Sequence, residues 1–140
     1  GVGTRRHAYM GYGGGKDYVK ALDEVVVMLM IEKQGAVDEL EEILALPGLD
    51  MIQWGGSDYS MNIGRAGERN SAEVLAVEEH VIKTALKMGI QPRAEIGQPE
   101  DAERYLEMGV KHFSIGTDFS ILYQWFKSNG EELRKIVEAA

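Results

Sequence analysis

Four short apolar stretches punctuate this chain, and each runs on its C-terminal side into a carboxylate. Residues 25–31 lead to Glu32, residues 51–57 to Asp58, residues 89–94 to Glu95 and residues 110–117 to Asp118. The first is a continuous run of seven apolar residues, β-branched at Val25, Val26, Val27 and Ile31. It is too short for a stable lone helix and suits a strand buried on both faces. Residues 49–54, 90–96 and 110–115 read as the second, third and fourth strands, the third weakened by Pro92. Between the strands the spacing turns helical. Val37, Leu40, Ile43 and Leu44 share a stripe within residues 36–46, opposite Asp38, Glu39, Glu41 and Glu42, until Pro47-Gly48 stops it. Val74, Val77, Val81, Ala85 and Met88 keep a helical period after a cap at Asn70 or Ser71, and Gly89 ends it. Pro99 opens another helix, with Ala102, Tyr105, Leu106 and Met108, that Gly109 terminates. Asp118 or Ser120 caps a helix over residues 121–127, which Asn129-Gly130 separates from a terminal helix over 131–140. A short helix over 16–23 precedes the first strand.

The resulting order is βαβαβαβα, an α/β chain with a parallel sheet and right-handed connections. Two closures fit it: a small doubly wound sheet, or half of an eight-stranded barrel. The glycine-rich stretch 1–15 comes before any regular element and without a preceding strand, which favours the barrel. The opening Gly1-Val2-Gly3 reads as the interior of a larger protein.

Composition narrows the function. With 140 residues this is one domain by length. A formal charge of −8 argues against nucleic acid, whose phosphates call for a basic surface. The absence of cysteine removes thiolate nucleophiles and zinc–thiolate sites and fits a cytoplasmic protein. No apolar run approaches the length of a membrane span, and no signal-peptide pattern is present.

In parallel α/β folds the carboxyl ends of neighbouring strands open on one face, where the site is built. Glu32 and Asp58, 26 residues apart, therefore meet there as two hard oxygen donors suited to a divalent metal. The bland alternatives are a solvated or helix-capping Glu32, and an Asx turn or N-cap at Asp58. Small residues at 55–57 leave backbone N–H groups free for an anion beside the cation at Asp58. Together they would grip an α-keto acid and stabilise the enolate formed when a C3 proton leaves. Asp118 reads as a helix cap, and Glu95 as a rim residue or a partner of Arg93 or a lysine. His7, His80 and His112 have no metal-ligand spacing. Gly11 to Gly15 lacks a phosphate-loop ending and fails G-x-G-x-x-G. The last helix carries Phe119, Tyr123, Trp125 and Phe126 with Ile121 and Leu122, more apolar surface than one packing face needs, which suggests a subunit interface.

Four segments carry a resemblance: Leu29-Met30-Ile31-Glu32, the stretch Ile52-Gln53-Trp54-Gly55-Gly56-Ser57-Asp58-Tyr59-Ser60, the opening Gly1-Val2-Gly3, and Ile115-Gly116-Thr117-Asp118. They are similar to the HpcH/HpaI aldolase family of metal-dependent class II pyruvate aldolases. The resemblance implies a (β/α)8 TIM barrel of which residues 1–140 form the C-terminal half, strands five to eight after the glycine-rich loop 1–15. It implies Glu32 and Asp58 as ligands of Mg²⁺, Mn²⁺ or Co²⁺, and Gly56, Ser57, Asp58 and Glu95 as substrate-binding positions. The reaction implied is aldol cleavage of 4-hydroxy-2-oxo acids to pyruvate and an aldehyde, or its reverse. The catalytic base would belong to the N-terminal half of the barrel, the partner this half requires, and the assembly would be a homo-oligomer, a hexamer in the family. Two departures stand out: Met30 where relatives carry Gln, and Glu95 near an often apolar position that borders the aldehyde pocket. A catalytically incomplete half-barrel and a related acyl-CoA lyase are the alternatives.

Overall fold

The computed structural model describes residues 15–140. The glycine loop up to Gly14, the Gly1-Val2-Gly3 opening and His7 lie outside the described residues. The elements follow in the order α1 (Lys16–Asp23), β1 (Met28–Ile31), α2 (Gln34–Asp38), α3 (Leu40–Leu44), β2 (Met51–Trp54), α4 (Gly56–Asn62), α5 (Ala72–Lys87), β3 (Gln91–Ile96), a 3-10 turn (Pro99–Asp101), α6 (Ala102–Met108), β4 (His112–Ile115) and α7 (Asp118–Glu138). The four strands form one parallel sheet in the sequential order β1-β2-β3-β4.

That order settles the closure. A doubly wound sheet reverses its strand order at a switch point and carries helices on both faces. Here the order never reverses, and the core lies on one face. Ile31, Leu40, Leu44, Leu49, Ile52, Val81 and Ala85 form one buried cluster, and Ile82, Ala94, Ile96 and Val110 a second. Consecutive residues of α5, Val81 and Ile82, belong one to each cluster, so this helix spans the junction of β2 and β3. The opposite face presents Met30, Gln53, Arg93 and His112 in one row, by the registers Met30↔Gln53, Gln53↔Arg93 and Arg93↔His112. A polar row opposite a one-sided core is the arrangement of four adjacent βα units of a barrel.

Several expectations need correction. The first strand is not buried on both faces: Ile31 is buried, but Leu29 and Met30 are 37% and 47% exposed. It is the edge of the four-stranded sheet, and burial of an edge depends on its neighbours rather than its own apolarity. The helix expected over 36–46 is two short ones, parted at Glu39 (φ −103°, ψ 21°). Pro92 does not weaken β3, the longest strand, and is fully buried. Gln91 N–H donates to Asp50 C=O on the β2 side. The next residue faces β4, where pairing begins only at Arg93, so the missing N–H of Pro92 costs no ladder bond. The last helix is continuous through Asn129-Gly130. Asn129 Nδ2 donates to the Trp125 carbonyl at 2.8 Å, and one glycine costs a helix about 1 kcal/mol. Its N-cap is Thr117, whose side chain accepts from Ser120 N–H, and not Asp118 or Ser120.

Candidate active site at the strand ends

The row above Gln53 and Arg93 holds the candidate site. Register continues Ile31↔Trp54 to Glu32 beside Gly55, and Gln53↔Arg93 to Gly55 beside Glu95, which pairs with Ser114. Glu32, Gly55 and Glu95 thus stand in line at the carboxyl ends of β1, β2 and β3, on the face away from the core.

Crowding explains the glycine in the middle. A Cβ on Gly55 would lie 2.7 Å from Glu32 Cβ and 3.0 Å from its Oε2, so the Glu32 carboxylate lies over the Gly55 backbone. Gly55 N–H donates to the Ile31 carbonyl at 2.9 Å, which carries the β1–β2 pairing up to this level. Gly56 is crowded too, since a Cβ there would meet Trp54 Nε1 at 2.9 Å.

The chain then turns directly into α4, although residues 56–62 offer no apolar run to mark a helix. Its first internal bond is Tyr59 N–H to Gly55 C=O at 2.8 Å, so the N–H groups of Gly56, Ser57 and Asp58 precede any intrahelical acceptor. Buried Ser60 donates to the Ser57 carbonyl at 2.8 Å and fixes this first turn. Asp58 is exposed in that turn, where the helix dipole favours a negative charge.

The capping readings of the two acids are not realised, while a solvated Glu32 fits its partly exposed, unpartnered carboxylate. Neither α2 nor α4 has a side-chain cap, so Glu32 does not cap the first and Asp58 does not cap the second. Among the described residues neither carboxylate has a hydrogen-bond or ion-pair partner. Two unpartnered hard oxygens at adjacent strand ends fit a divalent cation that takes one or two protein carboxylates and completes its shell with water or substrate. Among the described residues no group of three or more His, Asp or Glu side chains is placed to hold a metal, so Glu95 is not a third member.

Two further side chains brace the segments around these acids, and sequence reasoning missed both. The Tyr59 hydroxyl donates to Gln34 Oε1 at 2.6 Å, and Gln34 N–H donates to Asn62 Oδ1 at 2.9 Å. The segment after Glu32 is thereby tied to α4. The Tyr59 ring lies 4.7 Å from that of Trp54, and burial, then the charge of Asp38, push its phenol up. The second is Gln53, 4% exposed. Its Oε1 accepts from Arg93 Nε at 2.7 Å and from Nη2, and its Nε2 donates to Glu95 at 3.1 Å. Glu95 therefore pairs with neither Arg93 nor a lysine directly. A glutamine inside an apolar strand was the available signal.

The remaining candidates stand apart. Asp118 opens α7, with Oδ1 accepting from Phe119 N–H at 2.8 Å. His80 is exposed on α5, and His112 begins β4 at the level of Arg93. Of α7, no residue is buried; Phe119 is 76% exposed, with Trp125 and Phe126 also open. Among the described residues no helix is long and apolar enough to cross a membrane.

Comparison with known proteins places this geometry. The family described as HpcH/HpaI aldolase/citrate lyase matches residues 2–124. The hydroxypyruvate/pyruvate aldolase of Chromohalobacter salexigens is 30% identical over 129 residues, covering 84% of this chain and 51% of its own. The 4-hydroxy-2-oxo-heptane-1,7-dioate aldolase of Escherichia coli is 35% identical over 107 residues, covering 76% and 41%. A solved HpcH/HpaI aldolase/citrate lyase family protein from Burkholderia cenocepacia superposes with a TM-score of 0.74 at 27% identity, over 96% of this chain and 52% of that one. The chain thus spans about half the length of the curated relatives it matches, and its four βα units are those of a TIM barrel.

Proposed function

The chain belongs to the HpcH/HpaI aldolase/citrate lyase family, and on that premise we propose that it supplies the oxo-acid side of a class II pyruvate aldolase. The observation that carries this is the pair of unpartnered carboxylates, Glu32 and Asp58, at adjacent strand ends beside the free N–H groups of α4. Glu32 and Asp58 would hold Mg²⁺, Mn²⁺ or Co²⁺, which would supply positive charge to stabilise the enolate. The N–H groups of Gly56, Ser57 and Asp58 would bind the substrate carboxylate and fix its orientation. In the cleavage direction the C4 hydroxyl gives its proton to a base, the C3–C4 bond breaks, its electrons pass to the enolate, and a proton returned to C3 gives pyruvate.

In this reading residues 1–140 are one unit, the C-terminal half of the barrel, and the base comes from the N-terminal half. The open polar face of the sheet supports that need for a complement. The apolar surface of α7 supports a homo-oligomer. Without the complement, the same residues would bind oxo acid and metal without turnover, which is the second reading.

The test is proton exchange at pyruvate C3 in D2O, followed by NMR with the full-length protein. Exchange should require added Mg²⁺ or Mn²⁺ and fall at least about 100-fold in Glu32→Ala and in Asp58→Ala, a loss on the scale of removing a key electrostatic group. Exchange that survives both substitutions would sink the proposal.

A further inference from the structure

We infer that Glu95 sets the class of aldehyde, selecting an uncharged hydroxyaldehyde over one that ends in a carboxylate. The inference rests on the aldolase reading above. Its basis is the row Glu32–Gly55–Glu95. The Glu32 carboxylate lies over Gly55, and Glu95 stands on the next strand, one strand spacing or about 5 Å of backbone further on. A reactant held at Glu32 and Asp58 and extending along the row therefore meets the Glu95 carboxylate.

Among the described residues no cation pairs with Glu95. Arg93 is two residues away on the same strand and face, and it could have neutralised Glu95. Instead its Nε and Nη2 both donate to Gln53 Oε1. Arginine offers only donors, so Gln53 presents its oxygen to Arg93 and its Nε2 to Glu95. A neutral amide thus stands between the cation and the carboxylate. Among the described residues the Gln53 contact is the one hydrogen bond of Glu95, and it forms no ion pair. Its other lone pairs are open to the cleft, where the side chain is exposed. Among the described residues two further cations line the cleft: Arg69 lies past Gly56 over the first turn of α4 and outside the row, and Arg104 is paired with Glu78 at 3.0 Å.

The chemistry follows. A carboxylate that accepts from a substrate hydroxyl makes a charge-assisted hydrogen bond. Facing a second carboxylate, it repels it across a cleft less polarisable than water. The E. coli relative is named for a 1,7-dioate. Breaking its C3–C4 bond leaves pyruvate and a four-carbon aldehyde that ends in the C7 carboxylate, the group Glu95 would turn away.

The experiment compares two substrates of the full-length protein with Mn²⁺: 4-hydroxy-2-oxo-heptane-1,7-dioate and its analogue with a hydroxymethyl group at C7. The wild type should cleave the hydroxymethyl compound with a kcat/KM at least tenfold higher. Glu95→Gln keeps an acceptor for Gln53 Nε2 and loses the charge, so it should bring the two within threefold, mainly by lowering KM for the dioate. Equal or better cleavage of the dioate by the wild type, or an unchanged ratio in a folded Glu95→Gln, overturns the inference. Should Glu95→Gln fail to fold, the wild-type ratio decides alone. Pyruvate C3 exchange without cleavage of either compound also overturns it while sparing the oxo-acid site. Absence of both exchange and cleavage removes the aldolase reading and this inference with it.

Discussion

The Tyr59 hydroxyl and Gln34 Oε1, 2.6 Å apart, join the two segments that carry Glu32 and Asp58. Gln34 follows Glu32 by two residues, and Tyr59 follows Asp58 by one. Tyr59→Phe keeps the buried ring against Trp54 and removes that bond alone. Stability should fall by about 1 kcal/mol, the net worth of one such bond, by urea denaturation. Mn²⁺ affinity, measured by titration calorimetry, should fall severalfold because Glu32 and Asp58 are no longer held together. A stability loss with unchanged affinity would show that the bond holds structure only.

Gly55→Ala is a harsher test of the same relationship. The new methyl group would sit 2.7 Å from Glu32 Cβ, so one of the two must move. We expect a loss of roughly 1–3 kcal/mol, the range for overpacking, together with at least tenfold weaker Mn²⁺ binding. Gly35→Ala, where a Cβ meets nothing within 4 Å, is the matched control and should leave binding unchanged.

At the outer layer, Glu78 is buried between α5 and α6, accepting from the Tyr105 hydroxyl at 2.8 Å and pairing with Arg104 at 3.0 Å. Burial, then the Glu78 charge, push the Tyr105 phenol up to about 12 from an ordinary 10. The folded state therefore keeps this proton longer than the unfolded chain. The resulting stabilisation is complete below pH 10 and is lost as pH rises towards 12. The thermal midpoint should fall more steeply between pH 10 and 12 in the wild type than in Tyr105→Phe. Parallel curves would mean that Tyr105 does not titrate with folding.

The exposed aromatic face of α7 gives a fourth expectation. If it is the homo-oligomer interface, Trp125→Glu with Phe126→Glu should shift sedimentation towards the monomer. Far-ultraviolet circular dichroism should be unchanged, since both side chains are already open to solvent in the single chain. An unaltered sedimentation profile would place the interface elsewhere.

How much of this was legible in the sequence depended on how local each determinant is. A polar residue that ends an apolar run marks a strand end by itself, so Glu32, Asp58 and Glu95 could be placed at one rim. Ser71 capping α5 and Gly109 ending α6 in the left-handed region are local too. What escaped needed a partner from another segment. The depth of β1 depends on what lies beside it, not on the apolarity of residues 25–31. The α4 helix is held by Tyr59 reaching Gln34, a contact that no period records. The same holds for Gln53, whose two partners come from β3.

Because Val81 and Ile82 sit side by side on α5 yet serve separate buried clusters, that helix works as a keystone. Departure of α5 would strip a buried residue from each cluster at once. Hydrogen exchange should therefore find the amides of α5, β2 and β3 releasing together, as one cooperative unit with a shared opening free energy. The β1 edge and α7, which lean on neither cluster to the same degree, would exchange ahead of it.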